Sequence, residues 1–340
     1  MPIREDDVAD KSRRQAEHST VIMELNAAIV TVRDDTPLVL AVREKQSGPN
    51  GASETTFGLP YGPFEPIRDR TLELGIRRWV EEQTELEMGY FEQLYTFGDR
   101  GRHSGPDDRD RFVSVGYLAL THRVTDSALP DAVWRSWYDF FPWEDHRGGF
   151  PEMVDDVIRP ALQTWAATAG SDPLRRQRRD RVKLCFGAKN VAWDDEKILE
   201  RYELLYEADL VTEASRDEDL PQQGESHAIG MAMLFDHRRI LATAMGRLRG
   251  KLKYRPVIFE LMLDTFTLLE LQRTIEAIAG VHLHKQNFRR LVATSGLVEN
   301  TGTISAQTIG RPAQLFRFRR EVLQERVAPG VRMPSPRGRR

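Results

Sequence analysis

Cysteine is almost absent from this 340-residue chain, in which Cys185 has no second cysteine with which to form a disulfide. That scarcity is typical of a reducing compartment, and we interpret Cys185 as a small buried apolar residue rather than a nucleophile. No apolar run approaches the roughly 20 residues of a membrane-spanning helix, and the polar first twenty residues do not resemble a secretory signal. We therefore expect a cytoplasmic protein that does not enter membranes.

Several common catalytic motifs are missing as well. The chain contains no G-x-x-x-x-G-K-[ST] phosphate loop and no G-x-S-x-G nucleophile turn. His282 and His284 are two residues apart and lack further ligands, so the sequence predicts no metal site. We accordingly predict no catalytic residue.

What the chain does have is an uneven distribution of charge. Residues 281–340 contain twelve Lys and Arg against three Asp and Glu, a net +9, so the rest must carry −12 to reach the total of −3. A basic end on an acidic protein indicates a polyanionic partner. For Arg332 onward, a solvated basic tail is the simpler interpretation.

The first half of the sequence alternates between strand-like and helix-like patterns. Val21–Arg33, Pro37–Arg43 and Arg111–Thr121 read as apolar strands, whereas Thr71–Gln83 has helical spacing. Pro151–Ala167 reads as a helix interrupted near its internal proline. This alternation predicts a mixed sheet with helices packed against it.

The middle of the chain is predicted to be a linker followed by helices. Gly170–Arg181 is charged, poor in apolar residues and contains a proline, so it predicts a domain boundary. Asp194–Ala208 and His227–Leu248 then have helical spacing.

The last ordered unit, about 251–320, carries the clearest local signals. Thr267 and Glu270 fit a capping box, and the helix that they open should stop at Gly280. A second helix, Lys285–Ser295, precedes a predicted hairpin that ends with residues 313–319. A short apolar helix is also predicted before them, at Val257–Leu263. Helix, helix, helix and hairpin in this order are typical of a winged helix-turn-helix.

The helix predicted at Lys285–Ser295 has the chemistry of a DNA-reading element. Phe288, Leu291 and Val292 share one face, which leaves a cationic and amide-rich face for the major groove. An ordinary amphipathic helix with a solvated face is the alternative, and the surrounding charge favours nucleic acid. The predicted DNA-binding residues are Lys285, Gln286, Asn287, Arg289, Arg290, Arg311 and Arg317.

Residues 59–86 resemble the Nudix box, G-x5-E-x7-R-E-U-x-E-E-x-G-U, in which U is apolar. Its helix glutamates hold Mg²⁺ against a diphosphate. Two registers are possible: anchoring on Arg78 puts Trp79 and Gln83 where acids belong, whereas anchoring on Arg77 retains the two acids at 81–82. We prefer the Arg78 register because it buries apolar residues, and in both registers the acid after the arginine is missing.

A site that lacks these acids should bind Mg²⁺ poorly, although cationic side chains could still hold a diphosphate. A solvated charged surface is the alternative interpretation for each of these arginines. The predicted ligand-binding residues are Arg68, Arg70, Arg78, Glu82, Tyr95, Arg100 and Arg102.

Taken in order, a string of short segments resembles the Nudix-related transcriptional regulators of NAD metabolism, the NrtR-like family. The extra helical middle, 194–251, is similar to the NadQ-like proteobacterial branch. The segments are Tyr95–Asp99, Arg111–Thr121, Lys253–Arg255, Phe266–Gln272, Asn287–Arg290 and Gly310–Ala313.

The resemblance implies an α+β chain with a defined domain order. The expected parts are a tail (1–20), a Nudix-like α/β/α sensor (21–168), a linker (169–190), a helical connector for dimerisation (191–250), a winged helix-turn-helix (251–322) and a basic tail (323–340).

The resemblance also implies a function. We expect a homodimeric repressor of NAD biosynthesis or salvage genes, which binds a double-stranded DNA operator. It needs no cofactor, and its implied effector is ATP, AMP, ADP-ribose or NAD. An active Nudix hydrolase with an accessory winged helix and a protein-interaction module remain alternatives.

Overall fold

The N-terminal half is built on one mixed β-sheet. In this computed structural model, the described residues are 20–47, 53–86, 88, 90–99, 111–122, 131–217, 229–305 and 312–322. Within these ranges the sheet has seven strands, namely β1 (Val21–Arg33), β2 (Thr36–Ser47), β3 (Ser53–Gly58), β4 (Tyr61–Pro63), β5 (Tyr90–Phe97), β6 (Arg111–Leu120) and β7 (Ala132–Ser136).

The strands lie in the order β3-β2-β1-β6-β5, with β4 also paired to β1 and β7 to β2. The β1 and β6 strands are parallel, while β1 and β2 form an antiparallel hairpin. Its turn residues, Asp34 and Asp35, both have positive φ, which suits the twist of a two-residue hairpin. The sequence predicted β1, β6 and the core of β2, but not β3, β4, β5 or β7.

Both faces of the sheet are covered by helices. Helix α1 (Leu72–Thr84) begins where the Thr71 hydroxyl accepts a hydrogen bond from the Leu74 N–H, and it buries Ile76 and Val80. The spacing of Thr71–Gln83 therefore predicted this helix correctly. Because side chains alternate along a strand, β1 directs Ile29 towards α1 and Val30 towards the opposite face.

The central part of the chain consists of helices, of which the last packs on the opposite face of the sheet. These are α2 (Trp137–Phe140), α3 (Arg159–Ala167), α4 (Asp172–Phe186), α5 (Ile198–Glu207), α6 (Thr212–Asp217) and α7 (His237–Leu252). Helix α7 crosses β1, β5 and β6, so the domain has an α/β/α arrangement. A π-helical turn, Val154–Ile158, precedes α3 and accounts for the predicted interruption near Pro160. In the described ranges, no helix is both long and apolar enough to cross a bilayer.

The predicted linker at 169–190 is largely a helix, which corrects that part of the domain plan. Its proline stands in the first turn, where no N–H is required. Arg178 stacks on the ring of Trp165 at 4.1 Å, and Arg181 forms a bidentate pair with Glu207. Contacts of arginine side chains thus hold this helix in place, although its sequence lacks the apolar spacing by which a helix is predicted.

Two other predicted helices are shorter than expected. The one predicted at 194–208 begins at Ile198 as α5. The one predicted at 227–248 begins at His237 as α7, and 227–228 lie outside the described residues.

The C-terminal unit has the predicted order of elements, except that a five-residue 3₁₀ turn stands where the first helix, Val257–Leu263, was predicted. A 3₁₀ turn, Val257–Leu261, is followed by β8 (Phe266–Thr267), α8 (Leu268–Ala279), α9 (Lys285–Ser295), β9 (Val298–Ile304) and β10 (Gln314–Phe318). The described strands of this unit lie in the order β8-β10-β9. Thr267 and Glu270 form the predicted capping box, and Gly280 ends α8 in the left-handed conformation.

Candidate DNA-binding surface and ligand site

Helix α9 has one buried face and one face of exposed polar side chains. Phe288 and Val292 are 2% and 3% exposed and pack in the core. Among the described residues, the side chains of the predicted reading face have no hydrogen-bond or ion-pair partner. These exposed residues are Lys285, Gln286, Asn287, Arg289 and Arg290.

The turn between α8 and α9 is fixed by one carboxylate. Glu276 accepts hydrogen bonds from the Leu283 N–H and the Gln272 amide, both at 2.8 Å, and lies 3.1 Å from His282. Burial disfavours its charged form, but these hydrogen bonds outweigh that effect and lower the pKa of Glu276. The two helices are therefore joined as one rigid unit.

The wing beside α9 contains one predicted cation within the described residues. Arg317 forms an exposed ion pair with Glu299, and Arg311 lies outside the described residues. Phe318 stacks on Phe259 at 4.3 Å, so this aromatic ring packs within the unit rather than being free to stack on bases.

The structure distinguishes between the two box registers. Val80 and Leu86 are 1% and 7% exposed, as the Arg78 register requires. In that register the glycine of the box corresponds to Glu85, which ends α1 at φ 57°. This left-handed backbone conformation explains why the box has a glycine at this position. The Arg78 register is therefore confirmed.

The side chains at two positions of the missing acids are used for packing. A Cβ on Gly62 would lie 2.2 Å from the Trp79 ring, and the indole N–H donates to the Pro63 carbonyl at 2.8 Å. The Gln83 amide both accepts from the Tyr61 N–H and donates to its carbonyl. Both residues thus attach α1 to β4 instead of facing a metal.

Arg78 is held by carboxylates of its own domain. It forms two hydrogen bonds with the buried Asp69, at 3.0 and 2.9 Å, and also contacts Glu65 and Glu82. The hydrogen bond from Arg78 lowers the pKa of Asp69 and raises that of the guanidinium. Among the described residues, no three His, Cys, Asp or Glu are placed to hold a metal ion. Because Trp79 and Gln83 replace two acids of the box and Glu82 pairs with Arg68 and Arg78, the residues present do not fit Mg²⁺.

The other predicted ligand residues are placed as follows. Arg68 joins the same cluster through Glu82 at 2.9 Å. Arg70 is exposed and has no partner among the described residues, and Tyr95 is 61% exposed beside Phe97. Arg100 and Arg102 lie outside the described residues. The structure therefore brings together Arg68, Arg78 and Glu82.

The sequence analysis did not predict a group of polar residues on the sheet. This group consists of Glu24, Asn26, Glu44 and Tyr61. Asn26 is fully buried, and neither atom of its amide has a partner among the described residues. Its partner in the register on β4 is Tyr61, whose hydroxyl donates to Glu44 at 2.7 Å. Burial and the nearby Glu44 and Glu24 raise the pKa of Tyr61. Polar residues within the apolar strand β1 were the available signal.

Comparisons with known proteins agree with this arrangement. Residues 258–318 match the family described as the NrtR DNA-binding winged helix domain. A 92-residue segment, 27% of this chain, is 42% identical to the "ADPR responsive transcriptional repressor NtrR" of Acinetobacter baylyi. That segment spans 36% of the relative's length, about a third.

Two solved structures show the fold. Shewanella oneidensis NrtR in complex with a 27mer DNA matches with a TM-score of 0.53 and 22% identity, over 89% of this chain and 95% of that one. The same protein without DNA matches with a TM-score of 0.50 and 22% identity, over 88% and 94%. The predicted α+β fold, with an α/β/α N-terminal domain and a C-terminal winged helix, is confirmed.

Proposed function

We propose, on the premise that residues 258–318 form an NrtR-type winged helix, that this chain is a transcriptional repressor which binds a double-stranded DNA operator. The observation that carries the proposal is the face of α9, where five polar side chains have no partner among the described residues. Arginine can bind guanine through two hydrogen bonds, and asparagine or glutamine can bind adenine in the same way. Arg311 and Arg317 would contact phosphates from the wing.

The Nudix-like domain is proposed to bind a nucleotide and to leave it intact. The curated relative is named as ADPR responsive, which makes ADP-ribose the first effector to test, with ATP, AMP and NAD as comparators. Exposed arginines, including Arg68 and Arg70, supply charge for a diphosphate. Trp79 and Gln83 stand where a hydrolase needs acids, so we expect binding without turnover.

The same role implies further properties. We propose a homodimer, since paired recognition helices read two half-sites, and light scattering of the purified protein would measure its mass. We also propose a cytoplasmic location and target genes of NAD biosynthesis or salvage, for which no other cofactor is needed.

The test is a DNA titration over a series of salt concentrations. Specific binding to the region upstream of the gene that weakens steeply with salt supports the proposal. The alternatives predict other outcomes: an active Nudix hydrolase cleaves ADP-ribose with Mg²⁺, and a protein-interaction module binds no duplex.

A further inference from the structure

The last turn of α8 is held by donors from outside the winged helix. The buried Tyr138 hydroxyl donates to the Ala277 carbonyl at 2.7 Å, and Arg249 Nε donates to the Ile278 carbonyl at 2.9 Å. Carbonyls at the end of a helix lack partners within it and carry partial negative charge. A hydroxyl from α2 and a cation from α7 therefore fix the end of α8.

The residue that ends α8 lies directly against this contact. A Cβ on Gly280 would lie 2.4 Å from the Glu144 carbonyl and 2.9 Å from the Tyr138 hydroxyl. The backbone N–H of His146 also donates to the Gly280 carbonyl at 2.8 Å. This close approach leaves no room for α8 to shift without breaking these hydrogen bonds.

Arg249 is itself fixed by a buried ion network. Glu144, which is fully buried, pairs with Arg249 at 2.8 Å and with Arg201 at 2.6 Å. A buried charge is costly unless all its hydrogen bonds are made, so the network holds one geometry. Arg249 cannot adjust its position independently of α7 and Glu144.

The other end of α7 contacts the strands next to the box. The Leu59 N–H donates to His237 Nδ1 at 2.9 Å, and the Leu234 N–H donates to the Phe57 carbonyl at 2.9 Å. Arg239 forms an ion pair with Asp99 at 2.6 Å. Sixteen residues of helix, about 24 Å, thus connect the ligand-binding domain to the end of α8.

We infer that Tyr138 and Arg249 are positioning residues for DNA recognition. They set the orientation of α9 through α8, because Glu276 joins the two helices rigidly. A ligand that shifts the strands beside α7 therefore changes the orientation of the reading helix. The effect on DNA recognition rests on the proposed function. The fixing of α8 by Tyr138 and Arg249 rests on the contacts described above.

The test compares Tyr138→Phe with Tyr117→Phe in the full chain. The first removes only the Tyr138 hydroxyl, which donates to the Ala277 carbonyl and accepts from Arg249 at 3.4 Å. The second removes a hydroxyl bound to Gln93 within the sheet. Hydrogen–deuterium exchange is measured on the free protein, without DNA or ligand. We expect faster exchange of peptides covering 276–284 and 57–62 in Tyr138→Phe alone. Unchanged exchange in both peptides would overturn the inference.

The second measurement is the Kd of the duplex with and without ADP-ribose. We expect Tyr138→Phe to reduce the ratio of the two Kd values about fivefold, the size of one neutral hydrogen bond, while ADP-ribose affinity is unchanged. An unaltered ratio would contradict the coupling. If the wild-type chain binds no duplex, or if its DNA affinity responds to none of ADP-ribose, ATP, AMP and NAD, the proposed function has failed, and the exchange data still decide the positioning role.

Discussion

At the scale of single residues, Arg290 is the most direct test of the reading face, because it is exposed and has no partner among the described residues. Replacing Arg290 with Ala should weaken specific DNA binding by about 1–3 kcal/mol, since a bidentate contact to guanine is lost. Fluorescence anisotropy with the upstream duplex measures this. Affinity for the nucleotide should stay unchanged.

The matched control for Arg290→Ala is Arg176→Ala. Arg176 is an exposed arginine on α4, also without a partner among the described residues. It should leave DNA affinity unaltered. Equal losses in the two variants would show that only the total charge matters and that α9 reads no sequence.

On the wing, Arg317 must leave Glu299 to reach a phosphate. An exposed ion pair of this kind is worth at most about 1 kcal/mol, so its loss is easily offset. Arg317→Ala should reduce the slope of log K against log salt by about 1, with equal effect on all sequences. Titrations at four salt concentrations check this, and a loss confined to the specific duplex would disprove a phosphate contact.

The residues that sequence could predict are those whose environment is local. Phe288 and Val292 lie one turn apart, so helical spacing alone separates the buried face of α9 from the reading face. Arg78 was predicted as a ligand residue, but its contact with Asp69 depends on the loop before α1. No periodicity reveals such a contact.

At the scale of elements, the capping box at Thr267 should be needed for α8. Thr267→Ala removes the hydroxyl that accepts from the Glu270 N–H, which should lower the free energy of unfolding by about 1 kcal/mol. Urea denaturation measures the loss. Thr55→Ala, at an exposed position of β3, is the comparison and should cost less.

The C-terminal end of α1 offers a change in the opposite direction. Glu85 has φ 57°, a conformation that glycine adopts without strain. Glu85→Gly should therefore raise the free energy of unfolding by up to about 1 kcal/mol. A fall in stability would mean that the Glu85 side chain makes a contribution larger than its backbone strain.

Helices and strands were predicted well where local sequence sets their boundaries and poorly where contacts with distant residues do. Helix α9 was predicted to the residue because it ends at Gly296, whereas α4 was mistaken for a linker. Helix α4 has few apolar residues, and Arg178 and Arg181 hold it through Trp165 and Glu207. Strand β7 was missed because it forms only by pairing with β2, far away in the chain.

At the scale of the whole molecule, the contact between domains should depend on pH through Glu144. Burial disfavours its charge, but Arg201 and Arg249 outweigh that effect, so its pKa lies below the usual 4.5. The native state then binds fewer protons than the unfolded one at moderately acidic pH. The contribution of Glu144 to the free energy of unfolding should be fully present above pH 4.5. It should be lost as the pH falls through the lowered native pKa.

Urea denaturation at several pH values measures this dependence. Glu144→Gln leaves two buried guanidiniums without their carboxylate, so it should be markedly less stable at pH 7 and less sensitive to acid. An acid dependence equal to that of the wild-type chain would show that other carboxylates dominate.

The most direct test of the repressor assignment is one anisotropy titration of the full chain against the duplex upstream of its gene, beside a scrambled duplex of equal length and composition. The account predicts tight binding to the first, binding to the second weaker by at least about a thousandfold, and a narrowing of that difference by about 1–3 kcal/mol in Arg290→Ala. Equal affinity for both duplexes, unaffected by Arg290→Ala, would contradict it.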